Sequence, residues 1–137
     1  MFYLLIFSLF LCTFLVVFIN MYYIITLKKQ FSTKKRTKAD EEIILTGNLA
    51  PYSVNFFPSK RLLTSHFSYK FNLYQNTLEI LQIEKQNNAQ KYLYIDKNSI
   101  TLKKNFLSTP SLIFALNNLR TEFKISSFDY EKLKKYM

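Results

Sequence analysis

The sequence predicts a mixed α+β fold: an N-terminal single transmembrane helix followed by a small antiparallel β-meander covered by one or two helices. Three observations lead there. Phe2 to Leu27 contains no charged residue. From His66 onward, apolar residues alternate with polar ones in short runs separated by turn-prone residues. From Thr109 the apolar residues recur at helical spacing. On this reading the chain divides into a transmembrane anchor over 1–27, a basic juxtamembrane segment and connector over 28–60, and a small soluble α+β unit over 61–137.

The anchor comes first. As a helix the stretch would be about 40 Å long, enough to cross a hydrocarbon core of about 30 Å with some tilt. Tyr3 lies at one end and Tyr22 and Tyr23 near the other, where rings with a polar tip favour the headgroup level. A cleaved signal peptide needs a basic start, a shorter apolar run and a small-x-small site, and an organelle transit peptide needs arginines. None of these is present, so the segment is expected to remain as an anchor. Thr13 and Asn20 share a helix face and are the candidates for packing on another membrane helix. A hydrogen bond from Asn20 across such an interface would be worth about 0.6–2 kcal/mol. The competing reading has Asn20 at the interface, meeting water.

Directly behind the anchor stand Lys28, Lys29, Lys34, Lys35, Arg36 and Lys38. The formal charge is +10, from 19 basic and 9 acidic residues, and these six leave 13 basic residues for the rest of the chain. The basic character is therefore mostly local. Lys and Arg concentrate on the side of the membrane where a protein is made. The cluster accordingly predicts the N-terminus outside and the following domain in the matrix or cytoplasm, with the long side chains on anionic headgroups. A nucleic-acid arm would interleave base-stacking residues with the charge. Phe31 is the one aromatic residue there, so nucleic acid is not the expected partner.

Thr37 to Lys60 reads as a connector, because Gly47, Pro51 and Pro58 interrupt any long element. Phe67, Tyr69, Phe71 and Leu73 then form the apolar face of a strand, and Tyr74 to Asn76 a turn. Thr77 to Lys85 is a second strand whose phase slips between Ile80 and Leu81, which predicts a bulge or two partly covered faces. Lys91 to Ile95 and Ile100 to Lys104 complete a four-stranded meander. Thr109 as N-cap and Pro110 at the first helical position predict a helix with Leu112, Leu116 and Leu119 on one face. An extended piece follows, and then a short helix capped by Ser127 or Asp129.

Catalytic and metal-binding constellations are missing from the pattern. One cysteine (Cys12, in the anchor) and one histidine (His66) make no zinc site of the usual kind, and one glycine makes no phosphate loop. His66 reads as a strand-edge residue. The carboxylates fall mostly beside lysines on predicted surfaces, and Glu79 and Glu84 have opposite strand parity. Neither an enzyme nor a cofactor is expected. The order of elements, strands and then a helix, resembles that of pleckstrin-homology-like modules found on some membrane-anchored proteins. Many folds share that order, and no function carries over from it.

The residue usage, with 14 Phe, 10 Tyr, one Gly and no Trp alongside many Lys, Asn and Ile, fits an AT-rich genome. A mitochondrial genome and an AT-rich bacterium both answer to that. The expectation is a structural, accessory subunit of a large membrane complex, with a respiratory-chain or ATP-synthase assembly of the mitochondrial inner membrane favoured over a bacterial one. Its partners would be other membrane subunits and anionic lipid headgroups. The alternative is a membrane-tethered adaptor whose basic face binds anionic lipid or RNA.

Overall fold

The computed structural model describes residues 1–36, 42–52, 66–116 and 119–137. It contains helix α1 (Phe2–Gln30), strands β1 (Leu45–Tyr52), β2 (Phe67–Leu73), β3 (Thr77–Glu84), β4 (Gln90–Asp96), β5 (Thr101–Lys103), β6 (Ser111–Leu116) and β7 (Leu119–Ile125), and a C-terminal helix α2 (Ser127–Lys134). The strands form one sheet in the order β4-β3-β2-β1-β7-β6-β5, with every neighbour antiparallel. The sheet curls into a half-barrel, so the mixed α+β class read from the sequence is the observed one.

Period-two alternation builds the core. Tyr69, Phe71 and Leu73 of β2 are buried on one face, and the register carries that face across the sheet. Phe71 stands opposite Ile80 of β3, which stands opposite Leu93 of β4. In the other direction the same face holds Leu49, Phe123, Ile125, Leu112 and Phe114, all buried. Both ladders of β3 run without a break in register, so the expected bulge is absent. Instead both of its faces are covered, with Leu78, Glu79 and Ile80 all buried. Glu79 is thus no surface carboxylate, in contrast to the sequence reading.

Two stretches depart further from expectation. The helix predicted from Thr109 through Leu119 is the β6–β7 hairpin. Leu112, Phe114 and Leu116 satisfy period two as well as Leu112, Leu116 and Leu119 satisfy helical spacing, and pairing decides between them. Leu112 stands opposite Phe123, Phe114 opposite Thr121 and Leu116 opposite Leu119, an antiparallel ladder that no helix could form. Pro110 opens no helix; its carbonyl accepts from the Ile125 amide at 3.0 Å. The second departure is the segment expected as connector, which supplies β1, the middle strand of the sheet. Pro51 is tolerated because β1 pairs with β2 only through Leu49, so beyond it the strand has one neighbour and the missing amide costs no bond on the other side. The fourth strand of the expected meander also moves: β5 leaves β4 and pairs with β6 at the opposite edge. At the C-terminus Ser126 caps α2, its Oγ accepting from the Asp129 amide, one residue before the expected cap.

Antiparallel order fixes two rims. One carries the end of β4, the Tyr74–Asn76 turn, the start of β1, the β5–β6 loop and the start of α2; the other carries His66 and the Lys85–Ala89 turn. Tyr130 and Leu133 of α2 are buried in the core. Gly47 makes this packing possible. It pairs with Phe71, whose ring lies over it, and the Asp129 carboxyl stands beside it. A methyl group at position 47 would collide with the buried ring. Gly47→Ala is therefore expected to destabilise the sheet by about 1–3 kcal/mol, as overpacking does, measured by denaturant unfolding of the full chain in detergent. A midpoint equal to that of the parent would show that Phe71 does not need the space.

Candidate functional site

The features that separate this chain from an ordinary small sheet protein lie where α1 meets the sheet. The first part of α1, Phe2–Ile19, has a mean hydropathy of 2.8, and the rest of the chain buries none of it. It is long and apolar enough to cross a membrane. Its serine and threonine hydroxyls are satisfied inside the helix: Ser8 Oγ donates to the Leu5 carbonyl at 2.9 Å and Thr13 Oγ1 to the Phe10 carbonyl at 2.8 Å. Such back-bonding lets a polar residue stand in an apolar medium.

The other end of the helix behaves differently. Leu27 is 1% exposed and Phe31 6%, and both belong to the core of the sheet. The Phe31 ring meets Tyr69 edge-on at 6.1 Å. Tyr69 lies 5.4 Å from Phe123, and Phe123 stacks on Phe114 at 5.9 Å. A row of four rings thus runs from the end of α1 through the half-barrel. The Tyr69 hydroxyl accepts from Gln82 Nε2 at 2.8 Å, so this deep polar tip has a partner. Ser32 then pairs with Tyr92 on the free edge of β4: the Ser32 amide donates to the Tyr92 carbonyl at 2.8 Å and the Tyr92 amide to the Ser32 carbonyl at 2.7 Å.

Beyond Ser32 the basic segment folds back over β4. The Arg36 amide donates to the Tyr94 hydroxyl at 2.9 Å, and its guanidinium lies 5.2 Å from the Tyr94 ring centroid, a cation–π arrangement. Tyr94 stacks with Tyr92 and stands opposite Glu79, which stands opposite Asn72. Asn72 Nδ2 donates to Glu79 Oε1 at 2.8 Å, while the buried Glu79 Oε2 has no hydrogen-bond partner. Burial first, and then the hydrogen bond to the Glu79 carboxylate, push the Tyr94 phenol up to about 12.

The predicted headgroup residues divide on this geometry. Lys29, Lys34 and Lys35 are exposed at the end of α1, and Arg36 is drawn onto β4. Asn20 and Lys28 belong to α1 but their side chains lie outside the described part of the structure, as does Lys38 altogether. Phe31 reads in the sequence as the lone aromatic of a basic segment and is instead a core residue. It stands one residue past α1, and its spacing of four from Leu27, about one helical turn, is the signal that would have found it. Tyr92, Tyr94 and Ser32 carried no comparable signal, because their roles depend on which strand lies at the edge.

Among the described residues no group of three or more His, Cys, Asp or Glu side chains is arranged to hold a metal ion. An open depression of about 370 Å³ lies where β1, β7 and α2 meet, lined in part by Thr109, Lys124 and Asp129. Its lysine is engaged by Ser111 Oγ at 2.8 Å and by Glu122 at 3.3 Å. Comparison with protein-family models, curated proteins and solved structures finds no match to this chain. Fold and site together define a class: a mixed α+β protein whose candidate membrane helix ends inside the core of its own sheet.

Two outcomes follow from this geometry. Phe31→Ala is expected to lower stability by about 3–5 kcal/mol, as deletion of a buried ring does, and Phe31→Leu by much less, measured by urea unfolding of the full chain in detergent. Equal, small effects would place the ring outside the core. Tyr94 has its proton held above the ordinary value of 10, so it contributes stability that is fully present below pH 10 and is lost as pH rises toward 12. Absorbance titration of the phenols should show a late-ionising component that disappears in Tyr94→Phe.

Proposed function

We propose that this chain is a non-catalytic, single-pass structural subunit of a larger membrane assembly. The observation that carries the reading is a contrast: none of Phe2–Ile19 is buried, while Leu27 of α1 and Phe31 just beyond it are built into the sheet. A flexible tether would let a domain drift over the membrane. A helix that ends inside the domain core holds that domain at one height and in one orientation, which suits a part that must meet fixed neighbours. The uncovered apolar helix offers its surface, Thr13 included, to lipid and to other membrane subunits.

The exposed Lys29, Lys34 and Lys35 support the orientation with the N-terminus outside and the sheet in the matrix or cytoplasm. The AT-rich usage favours the mitochondrial inner membrane, and with it a respiratory-chain or ATP-synthase complex. The second reading, a membrane-tethered adaptor of pleckstrin-homology-like build, is supported by the curled antiparallel sheet followed directly by α2.

Native electrophoresis of a mild detergent extract, with mass spectrometry of the band, separates the two. Co-migration with an oxidative-phosphorylation complex is the expected result. A free monomer that binds anionic liposomes in a salt-sensitive way would overturn the subunit reading in favour of the adaptor.

A further inference from the structure

The exposed apolar residues of the folded unit are not spread over its surface. Outside Met1, α1 and the C-terminal Tyr136 and Met137, the large exposed hydrophobics among the described residues are Ile43, Ile44, Phe106, Leu107 and Phe128. All five lie on one rim. Ile43 and Ile44 precede β1, and the Ile44 amide donates to the Leu73 carbonyl at the end of β2. Phe106 and Leu107 form the tip of the β5–β6 loop and are 102% and 94% exposed. Phe128 opens α2, which is tied to that loop by the 2.8 Å bond between Lys104 and Glu131. The opposite rim, among the described residues, presents the exposed His66, Lys85, Gln86, Asn87 and Asn88, with a half-buried Leu116 at the end of β6.

The apolar rim is also the one from which the anchor arrives. The Ser32–Tyr92 bridge is antiparallel, so the chain at Ser32 runs against β4 and reaches it from the Asp96 end. In the antiparallel order that end belongs to the same rim as Lys103 and Ser111, the base of the β5–β6 loop. No spacer separates anchor and sheet: from Tyr22 to Leu27 the helix rises about 7–8 Å, and Leu27 is already in the core. A domain of this size has a radius of gyration of about 13 Å, so its anchor-side rim lies at headgroup depth. Lysines accompany the apolar groups there. Lys103 and Lys104 lead into the loop, and Lys132 sits 4.0 Å over the Phe128 ring.

We propose that this rim is a second, peripheral membrane contact: Ile43, Ile44, Phe106, Leu107 and Phe128 enter the interfacial layer of the bilayer that α1 crosses, and Lys103, Lys104 and Lys132 face anionic headgroups. Apolar side chains at interfacial depth flanked by lysines are the composition that binds such a layer. With α1 as the first point of attachment and the loop tip as another, the sheet is fixed against tilting. The proposal rests on α1 crossing the bilayer as proposed above, and the test separates the two.

The full chain is reconstituted into vesicles of phosphatidylcholine and phosphatidylglycerol with no other protein present. A fluorophore is placed at Leu107→Cys or at Gln86→Cys on the opposite rim, each in a Cys12→Ser background, and at the native Cys12 of α1. Each probe is challenged with an aqueous quencher and with lipids carrying a quencher at headgroup or shallow acyl depth. Both engineered positions are exposed, so neither label disturbs the core. The expected result is that Cys12 and Leu107 are shielded from the aqueous quencher several-fold relative to Gln86, and that shallow lipid quenchers reach Leu107. A Leu107 probe as open to water as Gln86, with Cys12 still shielded, overturns the rim contact and leaves the anchor standing. An exposed Cys12 overturns the anchor, and the rim proposal with it.

Discussion

Burial of Leu27 and Phe31 in the sheet is the interaction on which the rest of the structure depends. Each such burial stabilises by about 1.5–3 kcal/mol, against a net stability of about 5–15 kcal/mol for a typical domain. For a sheet this small the end of α1 is therefore a sizeable part of the core rather than an attachment to it. The row of rings from Phe31 to Phe114 carries that contact through to β6, the strand before the last in the sheet order. Helix and sheet become one body, and whatever positions the helix positions the sheet as well.

A second constraint sits on the outer face. Asn72, Glu79 and Tyr94 form a row across three strands, closed at its end by Arg36 of the basic segment. A buried carboxylate with one oxygen unpartnered costs stability unless its neighbours compensate. Here an amide and a phenol do so in part, and the phenol keeps its proton to a higher pH as a result. The row also specifies register. Slipping β3 by one residue would turn Glu79 into the apolar face beside Phe71 and Leu93, an alternative far less stable than the native pairing. The basic segment is thus held by the sheet at Arg36 while Lys29, Lys34 and Lys35 stay in solvent.

Much of this was legible in the sequence where one physical signal acted alone. The charge-free stretch gave α1, and strict alternation in Phe67–Leu73 gave β2 and its buried face. Legibility failed where two signals competed or where the answer was non-local. Leu112, Leu116 and Leu119 fit a helix as well as Leu112, Phe114 and Leu116 fit a strand, and only the pairing of β6 with β7 decides. Gly47 and Pro51 read as breaks in the chain. In the fold one is the space that Phe71 fills, and the other sits where its missing amide is harmless. The seat of the helix end was hidden because Phe31 lies among lysines, and its spacing of four from Leu27 was outweighed by that charge. Glu79 was misread for the same reason: the neighbours that bury it are decided by pairing.

The central claim, that anchor and sheet are one body, is tested most directly by amide hydrogen exchange at Tyr92 in the full chain. Its amide points off the free edge of β4, and the Ser32 carbonyl is its partner at 2.7 Å. If the end of α1 is seated as described, this edge amide exchanges as slowly as the central Phe71 and Leu78 amides, through opening of the whole sheet. Exchange at the rate of an unprotected amide while Phe71 and Leu78 stay protected would show that the helix end comes away from the sheet, and would contradict the account.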